Sequence, residues 1–386
     1  MRTRLALVLV VVASLLAVGC GGKGGGNTIK IGMIYNMTGS QASLDAPSAN
    51  GAKLAAKEVN AAGGVLGKKI ELAAFDGKSD AATIANSATQ LTQTDKVVAM
   101  LGFSDSDMVM AAAPTAAKAG IVFVTSGATS PKLPDQVPDY LYSMPLSMSR
   151  YTVFAFNTMK AKTVYLLIDK GMEYTLLLGK YFKDRFTELG GKVVLEDNYQ
   201  TGDKDYSAQI TKLRGLKAAP DMLYIAAGPD DVGTIVKQFR DAGVKKPIMG
   251  GDGYDTPLLV QVAGAGAEGV YFTTHSLMDA SLGTDAVKAF IAAYQAEYKT
   301  PPENAFAGLG YDTVKLLVDA IKRAGSADPK AIREALNDTK DLPGVTGAIT
   351  FQPGSRIPQK GVTVILVKDG KFTLAQEVVP QKVPAP

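Results

Sequence analysis

The sequence predicts an α/β protein built from two doubly wound lobes, in which helices cover both faces of largely parallel sheets. Short apolar runs with β-branched residues alternate with longer stretches of helical periodicity along most of the 386 residues, which is typical of βαβ units. A Pro- and Ser-rich stretch over 131–149 separates two sets of these units, and this separation indicates two lobes. Since the 386 residues contain only 1 cysteine, no internal disulfide can hold either lobe, and each must rely on its apolar core.

The first set of units begins with a strand over Thr28–Tyr35, where β-branched and apolar residues run together. A helix is predicted over 46–62, because apolar residues recur there at helical spacing and Gly63 and Gly64 end the pattern. The same alternation then predicts, in order, strand 70–75, helix 80–93, strand 97–101, helix 106–118 and strand 121–125.

The second set repeats this order of strand and helix. It predicts strand 163–168, helix 174–189, strand 192–196, helix 206–216, strand 222–226, helix 230–242 and strand 270–273. The last part of the chain differs, with amphipathic helices predicted over 285–298, 305–324 and 329–337. A hairpin of strands 362–367 and 372–376, turning at Asp369 and Gly370, is predicted to close the fold.

The N-terminus has the layout of an export signal. Arg2 and Arg4 precede an apolar run over 5–18, too short for a comfortable membrane span, and Cys20 follows. The residues before Cys20 resemble the lipobox of bacterial lipoproteins, which implies that 1–19 form a signal peptide and that Cys20 becomes a lipidated N-terminus. Glycine-rich 20–27 is predicted to be a flexible tether. These features predict a periplasmic or cell-surface protein anchored to a membrane by lipid, with a plain secretory signal as the alternative.

Composition argues against several classes of function. The formal net charge is +4, with 41 basic and 37 acidic residues scattered among one another, so no basic patch for nucleic acid is expected. A chain with 1 histidine and 1 cysteine offers no ligand set for zinc, haem or an iron–sulfur cluster. We therefore expect no metal and no cofactor.

Motifs that would indicate an enzyme are incomplete. The turn Gly102–Ser106 lacks the final glycine of a nucleophile elbow. The glycines at 264, 266 and 269 have dinucleotide-binding spacing but precede a strand instead of following one, and 63–69 lacks the spacing of a P-loop. His275 could join Asp252 in a triad, but a lone histidine is more often structural. The sequence therefore predicts a protein that is not an enzyme.

Several segments resemble the periplasmic leucine/isoleucine/valine-binding proteins of ABC transporters. They are IKIGMIYNMTGSQA, AAKEVNAAGGVLGKKIEL, GIVFVTSGATSPKL, PDMLYIAAG, PIMGGDG, AEGVYFTT and GVTGAITFQPGSR, in compatible order over almost the whole chain after residue 27. The resemblance implies the type I periplasmic binding protein fold: two Rossmann-like lobes joined by three crossover segments, near 145–147, 274–279 and 351–355. The implied lobes are 28–146 with 277–352, and 147–276 with 353–386.

The resemblance also implies a ligand-binding cleft between the lobes. An amino acid ligand needs donors for its carboxylate and acceptors for its ammonium. Ser106, which opens a predicted helix, and Thr129 match carboxylate-binding residues, and a carbonyl of Gly127 or Ala128 would face the ammonium. Each position also has an ordinary explanation, because serine is a common N-cap and threonine is common in turns.

Residues of the second lobe, and of the pocket for the ligand's side chain, also match positions of the family that the sequence resembles. Asp252 matches an acidic partner of the ammonium, and Tyr174 an aromatic that covers the ligand. Leu44 and Phe306 match side-chain pocket positions. The alternatives are that Asp252 is a solvated loop carboxylate and that the two aromatic residues belong to the core.

Two acidic residues depart from the leucine-type pattern. Asp45 and Asp105 stand where relatives tend to carry small or neutral residues. They are expected either to select a cationic, hydroxylated or amide-bearing ligand or to be solvated loop residues.

Together these observations predict a monomeric solute-binding lipoprotein that captures a branched-chain or other neutral amino acid and delivers it to an inner-membrane ABC permease. Two alternatives remain open at this stage. The ligand could be another small carboxylate, an amide, or a polar or cationic amino acid, and the protein could instead be a sensor for a membrane receptor.

Overall fold

A computed structural model describes residues 27–143, 153–358 and 360–378. The predicted signal peptide, Cys20, most of the tether and the crossover expected near 145–147 lie outside these residues. Within the described ranges, no helix is both long and apolar enough to cross a membrane.

The first sheet is entirely parallel. Its strands are β1 (Thr28–Tyr35), β2 (Lys69–Asp76), β3 (Ala99–Gly102), β4 (Phe123–Thr125) and β5 (Leu141–Ser143), in the order β2-β1-β3-β4-β5. The helices between them are α1 (Ala42–Ala61), α2 (Ala81–Gln93), α3 (Ser106–Lys118) and α4 (Leu133–Gln136). Strands β3, β4 and β5 are completely buried, as expected for a parallel sheet that helices cover on both faces, whereas most residues of the edge strand β2 are partly or fully exposed.

The second sheet is mixed, and its strand order is β12-β11-β10-β9-β8-β6-β7. Its strands are β6 (Thr163–Asp169), β7 (Lys192–Tyr199), β8 (Met222–Ala226), β9 (Ile248–Gly250), β10 (Val270–Thr274), β11 (Val362–Lys368) and β12 (Lys371–Val378). Strands β6 to β10 are parallel, whereas β11 and β12 add an antiparallel edge. The intervening helices are α5 (Glu173–Glu188), α6 (Ser207–Arg214), α7 (Val232–Asp241) and α8 (Leu258–Ala263).

Three late helices return to the first sheet. They are α9 (Asp285–Tyr298), α10 (Ala305–Ala324) and α11 (Pro329–Asn337). Apolar residues of α10 and α11 share one buried core with residues of β1 and α1, while residues of α9 share a smaller core with Leu54 of α1. The chain then goes back to the second sheet through β11 and β12. This path agrees with two discontinuous lobes, although the lobe boundaries given above stay a prediction.

Helices α1 and α10 approach each other at backbone distance. A Cβ atom at Gly310 would lie 1.9 Å from the carbonyl oxygen of Ser48, and one at Gly51 would lie 1.8 Å from that of Ala307. Only glycine fits at such a crossing. Nearby, the hydroxyl of Tyr298 donates to the carbonyl of Asn50, 248 residues earlier in the chain.

Helix α1 begins four positions earlier than the predicted residue 46, because a tertiary contact compensates for Pro47 inside it. A proline cannot donate to the carbonyl four residues before it. Here the carbonyl of Ser43 instead accepts a hydrogen bond from Nδ2 of Asn304, at 2.9 Å. The short elements β5, β9, α4 and α8 were also missed, and β5 and α4 lie in the stretch 131–149 that the sequence indicates as a separator.

Two opposite buried charges, linked through the hydroxyl of Thr346, tie the segment before β11 to the first lobe. Asp312 of α10 accepts hydrogen bonds from the backbone N–H of Val345 and from the N–H and hydroxyl of Thr346. Nζ of Lys360, which is 8% exposed, donates to the Thr346 hydroxyl at 2.5 Å. Burial lowers the pKa of Lys360 to about 8, while the charge of Asp312 opposes that shift. The pair therefore fixes the chain at the point where it leaves the first lobe for the second sheet.

Candidate functional site

A pocket lies where loops from the two lobes meet. Its lining consists of Gln41, Leu44, Ser104, Asp105, Met172, Tyr174, Pro229, Asp252, Gly253 and Phe306. Several of these residues directly follow strands β3, β6, β8 and β9, at the carboxyl edge where open α/β sheets bind ligands. The structure thus brings together Leu44, Asp105, Tyr174, Asp252 and Phe306, which the sequence placed in one cleft.

The loop after β3 presents Asp105 to this pocket. Asp105 is the N-cap of α3, and its Oδ1 accepts from the N–H of Met108 at 3.0 Å. Its Oδ2 is buried and has no hydrogen-bond partner among the described residues. Ser106 is the first residue of the helix, and its hydroxyl accepts from the N–H of Ser130. The simple N-cap interpretation of Ser106 is therefore wrong, since Asp105 takes that position.

Asp45 supports the same loop from α1. Its carboxylate accepts from the N–H and Nδ2 of Asn36, at 2.9 and 2.8 Å, and from the N–H of Ser104 at 2.8 Å. Burial raises the pKa of Asp45 to about 6, although these hydrogen bonds oppose the shift. Asp45 is thus neither a solvated loop residue nor part of the pocket lining. It holds the β3 loop in place.

The segment after β4 contains Thr129, the other residue that the sequence predicts to bind the ligand's carboxylate. Thr129 is buried, and its hydroxyl has no hydrogen-bond partner among the described residues. The carbonyl of Ala128 accepts from the hydroxyl of Ser143, and a Cβ atom on Gly127 would lie 2.7 Å from the ring of Phe306. Neither this segment nor Ser106 contributes to the pocket lining. Ligand contact by these residues stays a prediction.

The second lobe contributes a hydrogen-bonded group around Asp252. The hydroxyl of Tyr174 donates to Oδ1 of Asp252 at 2.9 Å and accepts from the N–H of Gly253. On the other side, Nε2 of His275 lies 3.3 Å from Oδ2 of Asp252. Asp252 is only 3% exposed, so it is not a solvated loop carboxylate. The group holds a buried carboxylate against the pocket.

The sequence paired His275 with Asp252 only as a possible catalytic triad and did not place it in the binding site. Its ring meets the ring of Phe306 edge to face, with centroids 5.5 Å apart, and this contact joins the two lobes. The residue directly follows β10. Position at the carboxyl end of a predicted parallel strand is therefore the signal that could have identified it.

The lobes touch on both sides of the pocket. On one side Asp107 accepts a hydrogen bond from the N–H of Glu173, at 3.1 Å. On the other, Oδ2 of Asp255 accepts from the N–H of Ala305, at 3.0 Å, and from the hydroxyl of Thr274. Burial raises the pKa of Asp255 to about 6. These contacts enclose the pocket between the lobes.

The pocket has an acidic and apolar character. Asp105 and Asp252 are its charged lining residues, and the described residues that line it include no lysine or arginine. No cluster of His, Cys, Asp and Glu able to hold a metal ion occurs within 27–143, 153–358 and 360–378. The site therefore favours a small ligand that brings positive charge or hydrogen-bond donors.

A sequence profile of the periplasmic binding protein family matches residues 28–371. The chain belongs to this family. Its members are solute-binding proteins and not enzymes. The predictions of family, of the type I periplasmic binding protein fold and of a non-enzymatic, substrate-binding role are thus confirmed.

Similar proteins span nearly the whole of this periplasmic binding protein. The substrate binding protein of a branched-chain amino acid transporter from Streptococcus pneumoniae, solved with isoleucine, is 33% identical over 92% of this chain and 100% of its own, with a TM-score of 0.85. A leucine binding protein from Thermotoga maritima is 31% identical over 91% and 99%, also with a TM-score of 0.85. A Leu/Ile/Val-binding protein from Rhizobium johnstonii is 29% identical over 90% and 94%.

Proposed function

We propose that this periplasmic binding protein captures a small amino acid in the interlobe pocket and delivers it to an inner-membrane ABC permease. The observation that carries the proposal is Asp252, a buried carboxylate that the second lobe holds against the pocket with Tyr174 and His275. A buried carboxylate needs a positive partner or several donors. The ammonium of an amino acid supplies both.

The first lobe offers donors for the other end of a zwitterion. Thr129 has a buried hydroxyl without a hydrogen-bond partner among the described residues, and Ser106 stands at the positive end of α3. We propose that these two residues bind the ligand's carboxylate, while a carbonyl of Gly127 or Ala128 assists Asp252 with the ammonium. A ligand held this way bridges the lobes and stabilises their closed arrangement.

The similar proteins reported above reduce the range of candidate ligands. The Streptococcus pneumoniae protein is described in complex with isoleucine, and the Thermotoga maritima protein as a leucine binding protein. In this chain Leu44, Met172 and Phe306 supply apolar lining, which suits a small neutral side chain. We therefore place the ligand among the neutral amino acids, with the branched-chain ones as the reference compounds.

A ligand screen tests this function. We expect at least one of the common amino acids to raise the unfolding temperature of the purified full chain, because a ligand that binds only the folded state stabilises it. Removing the α-amine or the α-carboxylate should then weaken binding by about 100-fold, since it leaves a buried charge unpaired. Calorimetry measures both. Equal binding of the decarboxylated analogue, or no response to any amino acid, would contradict the proposal.

Members of this family work outside the cytoplasmic membrane, and we propose that a lipid on Cys20 holds the chain there. The support is the sequence alone: a basic start, an apolar run, and a glycine-rich segment after the cysteine. The replacement Cys20→Ser should leave ligand binding unchanged and move the protein from the membrane fraction to the soluble periplasmic fraction. Metabolic labelling with a fatty acid provides the second readout, and a labelled Ser variant would show that Cys20 is not the anchor.

A further inference from the structure

One carboxylate oxygen of Asp105, a residue of the pocket wall, has no hydrogen-bond donor among the described residues. The residue is 3% exposed and lines the pocket together with Leu44 and Phe306. Its Oδ1 caps α3 through the N–H of Met108, whereas Oδ2 has no hydrogen-bond partner among the described residues. A buried carboxylate oxygen without a donor is unfavourable.

Helix capping does not require this carboxylate. Asparagine or serine caps a helix about as well, and neither brings a charge. The charge is costly here: burial above all, together with the charges of Asp107 and Asp45, raises the pKa of Asp105 to about 7, although hydrogen bonds from the N–H groups of Met108 and Asp107 oppose the shift. Asp45 is equally buried, but its carboxylate accepts three hydrogen bonds from Asn36 and Ser104. Asp105 therefore has an oxygen that accepts no hydrogen bond from the described residues, whereas both oxygens of Asp45 accept at least one.

We propose that Asp105 determines specificity by accepting a hydrogen bond from the side chain of the ligand. This inference rests on the proposed amino-acid-binding function and names its substrate class. The ligand would carry a hydroxyl or amide donor on a short side chain, because the pocket otherwise offers Leu44, Met172 and Phe306 to that side chain. Threonine, serine and asparagine have this chemistry, whereas valine and leucine match threonine and asparagine in shape without the donor.

Shape-matched pairs of amino acids test the inference directly. Calorimetry on the full chain should show threonine binding at least about tenfold more tightly than valine, and asparagine at least about tenfold more tightly than leucine, since a hydrogen bond to a charged acceptor is stronger than one between neutral groups. Comparable or tighter binding of valine and leucine would overturn the inference while supporting the function proposed above. If no amino acid binds, the proposed function fails, and this inference fails with it.

The replacement Asp105→Asn isolates the responsible oxygen. Asparagine can keep Oδ1 on the N–H of Met108, which places its NH₂ group where Oδ2 stood and turns an acceptor into a donor. We expect the preference for threonine over valine to fall about tenfold or more, with no loss of unfolding temperature. An unchanged preference would overturn the inference.

A matched control lies at the start of α2. Asp80→Asn removes the same charge from another helix N-cap, where Oδ1 of Asp80 accepts from the N–H of Thr83, but Asp80 is exposed and does not line the pocket. Its preference between threonine and valine should equal that of the wild type. An equal loss of preference in both variants would show that net charge, and not the Asp105 oxygen, sets specificity, which also overturns the inference.

Discussion

The replacement Asp252→Ala should weaken binding of the amino acid ligand by about 100-fold or more. In the proposed complex, Asp252 is the charged partner of the ligand's ammonium on the second lobe. Its loss leaves a buried ammonium unpaired and also removes the acceptor of the Tyr174 hydroxyl. Calorimetry measures the affinity. Small-angle scattering should show that ligand compacts the wild type but compacts the variant much less, because the second lobe loses its charged contact.

A conservative variant separates charge from hydrogen bonding. Asp252→Asn retains an oxygen that can accept from Tyr174 at the Oδ1 position but removes the negative charge. We expect its affinity to fall nearly as far as that of Asp252→Ala, with a smaller change in unfolding temperature. If either variant binds the ligand as the wild type does, Asp252 does not pair with the ammonium, and the assignment of the ammonium site is wrong.

The replacement Lys360→Met should destabilise the protein by about 3 kcal/mol, because it removes the buried positive charge that compensates Asp312 through the hydroxyl of Thr346. Methionine fills a similar volume but leaves Asp312 buried without its cation. Asp312 keeps its hydrogen bonds from Val345 and Thr346, yet these carry no compensating charge. Urea denaturation monitored by circular dichroism gives the change in the free energy of unfolding.

A double variant provides the control. Adding Asp312→Asn to Lys360→Met removes the uncompensated charge, so the double variant should be more stable than Lys360→Met alone, and a double-mutant cycle gives the coupling between the two residues. A free energy of unfolding for Lys360→Met within about 0.5 kcal/mol of the wild type would show that the pair does not hold this segment, since surface substitutions produce effects of that size.

The longer elements of the fold were predictable because each shows at least one full period of its pattern. Strand β1 has eight residues and α10 has twenty, enough to distinguish alternating from helical spacing. Strands β5 and β9 have three residues each; β4 is equally short but lies within the longer apolar run predicted over 121–125, and β5 and β9 have no such run. Their existence depends on pairing with strands already in the sheet.

The candidate site was predictable to the extent that its residues follow strands or match a known family. Asp105, Tyr174 and Asp252 were found in this way and do line one pocket. The sequence could not reveal which of the buried carboxylate oxygens receive hydrogen bonds. Asp45 and Asp105 are similar in sequence, but only the folded loop shows that three donors satisfy one of them and leave an oxygen of the other without a partner.

The close crossing of α1 and α10 has a consequence for how the chain folds. Helix α1 is among the first segments synthesised, but α10, which buries one face of it, comes only after most of both lobes, as the close approach of Gly310 to Ser48 illustrates. Contacts of such long range form late, because a large loop must close first. The leading part of the chain therefore cannot complete its own core until α10 has been synthesised, so the order of synthesis and the order of core formation differ in the first lobe.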